Sequence, residues 1–142
     1  RGLPAPSRHR STAGALSRAT SHLPADDRLW FAGRFADVVE GKIGAAERIH
    51  RHEFDFLGTG PTQWGEPIDW HRDVKSGHRW PVKHYTEYGP DLLPGQGVDV
   101  KVPWELSRLH HFVTLAQAWW LTGERRHADE FLAQWESWQA EC

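Results

Sequence analysis

The stretch KVPWELSRLHHFVTLAQAWWLTGERRHADEF, residues 101–131, decides the fold. Behind Pro103 the first turn carries Trp104, Glu105 and Arg108, and from Leu109 to Gly123 there is no Asp, Glu, Lys or Arg. The pattern predicts two helices, about 103–122 and 125–140, joined at Thr122-Gly123 with Gly123 as a left-handed cap. Such an αα-hairpin is the unit of helical bundles, solenoids and toroids. With 100° per residue counted from Trp104, the residues Leu106, Leu109, Phe112, Val113, Ala116 and Trp120 share one broad arc, which Leu115 and Trp119 widen. Ser107, His110, Thr114 and Gln117 are left for solvent, so the helix is expected to be covered on most of its circumference.

Glu105 and Arg108 fall inside that apolar arc, and two readings follow. As an exposed i,i+3 pair they would add only about 0.2–0.5 kcal/mol, with Glu105 also favouring the helix dipole. On a covered face, charges are costly unless they are paired or open onto a polar cavity. Trp104 beside them favours the cavity, because an aromatic face next to a carboxylate and a guanidinium suits a sugar ring.

Upstream, residues 1–22 are rich in Ser, Ala, Pro and Arg, with no run able to bury much surface, and are expected to be a flexible flank. Pro24, with Asp26 and Asp27 after it, predicts a helix start. Leu29, Ala32, Phe35, Ala36 and Val39 continue it at helical spacing until Gly41, and AAERIHRH (45–52) reads as a second short helix. Phe54 and Phe56 then alternate onto one side before Gly58, Gly60 and Pro61 break the run. Residues 61–103 lack periodicity, yet Trp64, Trp70, Trp80, Tyr85 and Tyr88 predict a packed, ordered loop segment.

The 142 residues suffice for one domain, with nine Trp and ten His as the compositional excesses. Nine indoles can both fill a core and provide stacking faces. A net charge of −2 argues against nucleic acid as partner, although protonating all ten His would bring it to +8 and suit polyanions. Cys142 is the lone cysteine, so no internal disulfide can form. There is no Met, which reads as a processed product or an excised piece, and no apolar run of membrane-spanning length.

IDWHRDVKSGHRWPVKHY, 68–85, is the basic, aromatic-laced stretch. Arg72, Lys75, Arg79 and Lys83 would suit an acidic polymer; equally, it reads as a solvated loop anchored by Trp70 and Trp80. No metal site is expected: His50/His52 and His110/His111 diverge around a helix, and neither a Cys cluster nor HExxH is present. There is no GxSxG elbow and no phosphate loop, so no cofactor is expected.

AAERIHRHEFDFLGTGP, then PIDWHRDVKSGHRWPVKHY, then DVKVPWELSRLHHFVTLAQAWWLTGERRHADEFLAQWESW together resemble the N-terminal helical domain of heparinase II/III-type polysaccharide lyases, over about 45–140. The resemblance implies an all-α fold, a partial (α/α) toroid over 23–142 whose remainder and β-sandwich domain lie beyond this chain. It implies β-elimination on an acidic, uronate-bearing polysaccharide, and a periplasmic or extracellular location. The family's catalytic Asn, Tyr and His are expected downstream of Cys142, and this chain has no Asn at all. Trp104, Glu105 and Arg108 match the PWELSR block and are expected to face the substrate cleft or brace its wall; Trp70 and His71 of the DWH block join them as substrate-binding candidates. A non-catalytic carbohydrate-binding or scaffold domain is the alternative. A repeat-type interaction domain would show several hairpins of equal period, where one is visible.

Overall fold

The computed structural model describes residues 25–88 and 97–142, so the flexible flank expected over 1–22 lies outside the described residues. The chain divides into two compact units, Arg1–Ala36 and Asp37–Cys142. In the first, α1 spans Ala25–Arg34. The helix is interrupted at Phe35, whose ring meets Phe31 at 5.0 Å and the edge of Trp30 at 6.1 Å, under the Arg34 guanidinium.

Helix α2 runs from Ala36 to His50 and passes through both Gly41 and Gly44. This corrects the expected stop at Gly41 and the separate helix at 45–52. A mid-helix glycine costs roughly 1 kcal/mol against alanine but does not forbid the helix. Ala46 and Ile49, one turn further on, are buried in the core, and that burial carries the helix through.

After α2 the chain reverses at His52, which adopts φ 50°, and Glu53–Phe54 (β1) pairs antiparallel with Thr62–Gln63 (β2). Phe54 and Phe56 do share a side: their rings stack at 5.7 Å, and both meet Trp64 edge-on. The described part of the long aperiodic segment is packed, with Trp64, Trp70, Trp80 and Tyr88 all buried. Asp73 orders it from inside. Its buried carboxylate accepts from the Lys75 and Asp99 backbone N–H groups and the Ser76 hydroxyl, tying the 73–78 turn to the start of the next helix. Burial pushes this carboxyl's pKa up, but the Ser76, Asp99 and Lys75 donors outweigh it and hold it below its ordinary value.

The C-terminal third corrects the predicted single helix at 103–122. Helix α3 spans Lys101–Ser107 and α4 spans His111–Thr122. Between them Leu109 adopts φ 57°, a left-handed conformation that a leucine enters only at a cost of order 1–3 kcal/mol. Leu106 before the break and Phe112 and Leu115 after it all reach one core, which a straight helix would not deliver with this phase. The break resets the phase: α4 buries His111, Phe112, Leu115 and Ala118, while Val113 and Ala116, assigned to the arc from Trp104, are exposed. Gly123 caps α4 at φ 73°, its N–H donating to the Trp119 carbonyl, as expected. Helix α5, Arg125–Glu141, returns along α4 with Phe131 against Phe112 at 4.4 Å. The described residues are thus mostly helical, with one two-residue ladder.

Candidate functional site

Helix α3, the C-terminal end of α5 and the 70–88 segment border an open cavity of about 200 Å³. Its deeper wall is aromatic and buried: Trp70, Trp80 and Tyr88, with Val100. Its outer wall is Trp104, 41% exposed, with Val82 and Lys83. Trp138 and Cys142 close the α5 side, where Trp138 is backed by Trp135 in a near-parallel stack at 5.4 Å.

Each wall is fixed by the fold around it. The Trp70 indole donates to the Ser137 hydroxyl at 3.0 Å, locking the loop to α5. His71 places Nε2 3.0 Å from the Glu141 carbonyl, so Nε2–H donates and Nδ1 carries the lone pair in the neutral ring. The Tyr88 hydroxyl donates to the Pro81 carbonyl, and the ring lies edge-on to Trp80 at 5.8 Å. Trp80 and Trp138 each keep a buried indole N–H with no acceptor among the described residues.

Three of the five sequence candidates therefore meet: Trp70, His71 and Trp104 line the same cavity. Glu105 and Arg108 are not among its lining residues. They pair with each other at 3.1 Å, with side chains 23% and 61% exposed, so the expectation that they sit on a covered face is not met. The reason is the short α3, whose buried side holds only Val102, Pro103 and Leu106. Trp80, Tyr88 and Trp138 were not among the site candidates from sequence: Trp80 and Tyr88 were read as packed aromatics, Trp80 as a loop anchor, and Trp138 carried no separate signal.

A second cluster links α2 to the hairpin, far from the cavity in its makeup. His52 puts Nδ1 2.8 Å from the Gly65 carbonyl and Nε2 3.3 Å from the Glu130 carboxylate. Both nitrogens face acceptors, which only the imidazolium satisfies, and the Glu130 contact raises its pKa. Glu130 also accepts from Gln134, whose amide oxygen receives the His111 Nε2–H at 2.8 Å. Burial raises the Glu130 carboxyl, but His52 and Gln134 outweigh it and leave it below its ordinary value. Burial pushes His111 down to about 4, so it is a neutral ring at ordinary pH. His50 and the fully buried His127 share one hydrogen bond at 2.9 Å. Arg126 forks onto Glu47 close by, lowering that carboxyl. Among the described residues, no group of three or more His, Cys, Asp or Glu is arranged to hold a metal ion, and no helix is long and apolar enough to cross a membrane.

In comparison with known proteins, the family model described as the heparinase II/III N-terminus matches residues 36–142. No curated protein and no solved structure matches the chain.

Proposed function

The chain belongs to the heparinase II/III N-terminal family, and from that premise we propose that residues 23–142 form part of an (α/α) toroid that binds an acidic, uronate-bearing polysaccharide for cleavage by β-elimination. The observation that carries the binding role is convergence. Trp70 and His71 come from one sequence block and Trp104 from another, more than 30 positions away, and all three line one aromatic cavity. An indole face matches the C–H face of a pyranose, while His71 and Lys83 offer polar contacts to hydroxyls or a carboxylate.

β-Elimination needs three things: a base to take the C5 proton, a group that neutralises the uronate carboxylate as charge develops, and an acid for the leaving oxygen. With no Asn in the chain, the carboxylate-neutralising group typical of the family is not among its residues. Its part is to hold the sugar. A carbohydrate-binding domain without chemistry is the second reading, and it uses the same cavity.

Titration calorimetry of this chain with heparan sulfate, alginate and hyaluronan tests the binding role. Binding to at least one, weakened by Trp104→Ala, is expected; no heat with any of them refutes it. Ultraviolet absorbance of an unsaturated product should stay flat, and turnover by this chain would overturn the division of labour.

A further inference from the structure

We propose that Arg72 and Arg79 form a second anion site, on the face of the 71–80 hairpin turned away from the cavity, which takes a carboxylate or sulfate group of a long acidic glycan. This rests on the glycan-binding reading above. It adds a contact that a short sugar seated in the cavity does not reach.

The basic 68–85 stretch offers four Lys and Arg, and the structure narrows them to two. Lys75 Nζ donates to the Leu57 carbonyl at 2.6 Å, and Lys83 lies in the cavity wall. Arg72 and Arg79 face each other across an isolated antiparallel bridge. Its flanking hydrogen bonds run from the Trp80 N–H to the His71 carbonyl and from the Asp73 N–H to the His78 carbonyl. That makes 72 and 79 a non-hydrogen-bonded pair, whose side chains leave one face with Cβ atoms roughly 4.5–5.5 Å apart. Neighbours along each strand point the other way. His71 and Trp80 line the cavity and Asp73 is buried, so Arg72 and Arg79 share the opposite, exposed face.

Like charges placed opposite each other repel, and little in the hairpin offsets them. Asp69 and Asp73 are the acids within 69–84. The Asp73 carboxylate is spent inside the loop on Lys75, Ser76 and Asp99. Asp69 holds Arg79 through Nε, at 3.1 and 3.0 Å from its two oxygens. That contact fixes the guanidinium and leaves its terminal amino groups without a partner among the described residues. Arg72, also exposed, makes no ion pair among the described residues. A positioned fork beside a second, uncommitted one matches an oxyanion, which accepts several N–H donors at once and removes the repulsion. A neutral hydroxyl would leave the repulsion in place.

The experiment titrates the whole 142-residue chain with alginate and heparan sulfate polymers and with a disaccharide of each, at about 50 mM salt to keep screening weak. Arg72→Gln and Arg79→Gln should each weaken polymer binding about threefold to fivefold, the scale of an exposed ion pair, and leave the disaccharides unchanged. Trp104→Ala should weaken polymer and disaccharide alike. Arg125→Gln removes the same charge from α5, where the side chain is 84% exposed, and should change nothing. Arg72 has no ion pair to lose, so its variant keeps the test free of misfolding. A loss confined to heparan sulfate supports a sulfate as the group held, and one shared by alginate supports a carboxylate. Polymer binding unchanged by Arg72→Gln, or weakened equally by Arg125→Gln, overturns the second site while glycan binding stands. Disaccharides weakened as much as polymers would put the pair in the cavity and overturn a separate site. Silence from every glycan overturns the glycan reading and this site with it.

Discussion

Lowering the pH should destabilise this protein through His111, and the size of the loss can be worked out. The ring is 7% exposed, its Nε2–H is spent on Gln134, and burial sets its pKa at about 4 against 6.5 for an ordinary imidazole. A folded-state pKa below the unfolded one means that the unfolded chain binds the proton more readily. Stability from the neutral ring is therefore complete above about pH 6.5 and is lost as pH falls from there toward 4. Between about pH 7.5 and pH 5 the linkage relation gives a loss of about 2 kcal/mol from this group alone. His52 works in the opposite sense: its raised pKa adds stability below the ordinary histidine range, and that gain is lost as pH rises through its folded value. Glu130, lowered, gives up its share only at more acid pH still. The clean readout is hence a difference. Urea unfolding of wild type and His111→Gln should be followed across that range, and the wild-type curve should fall about 2 kcal/mol further. Imidazole NMR resonances of His111 should stay at the neutral position until near pH 4. Parallel stability curves, or a ring that titrates at the ordinary value, would refute the burial argument.

Three further outcomes are expected. Gly65→Ala should cost about 2 kcal/mol or more, since the backbone there has φ 99° and a Cβ would lie 2.8 Å from the Pro67 carbonyl oxygen; a shifted urea midpoint measures it. Asp73→Ala should cost about 2–4 kcal/mol in thermal or urea unfolding by stranding the Lys75, Ser76 and Asp99 donors. Arg108→Ala should shift stability by less than about 0.5 kcal/mol because the guanidinium is mostly in water, so any larger loss, in unfolding or in glycan titration, would mark a role beyond the pair with Glu105.

What the sequence made legible was whatever depends on local chemistry. Gly123 ended a helix because glycine alone adopts φ 73° without cost, and the long apolar run of α4 could only be a helix packed on a partner. Phe54 and Phe56 fell on one side because strand periodicity is two. The failures came where tertiary packing overrode local preference. Gly41 looked like a stop, yet the burial of Ala46 and Ile49 drew α2 past it. Nothing in SRLHH announces a left-handed leucine, so a wheel started at Trp104 ran out of phase beyond Leu109. For the same reason Glu105 and Arg108 were placed under cover when Arg108 is out in water. Trp104 was found through its place beside Glu105 and Arg108, and Trp70 and His71 through whole-block resemblance, whereas Trp80, Tyr88 and Trp138 join the cavity through contacts that no local pattern encodes.

The ties between α2 and the hairpin carry a consequence for how the chain is made. His50 meets His127 across 77 positions, and Arg126 meets Glu47 across 79, whereas the hairpin's own bond from His111 to Gln134 closes over 23. Short loops close at less entropic cost, so α4 and α5 can pair first and α2 docks late. On a ribosome adding roughly 5–20 residues per second, α2 waits about 4–15 s for its partner to be synthesised. Throughout that interval Ala46 and Ile49 have only the earlier members of their core cluster, Phe54, Trp64, Ile68 and Trp70, to pack against.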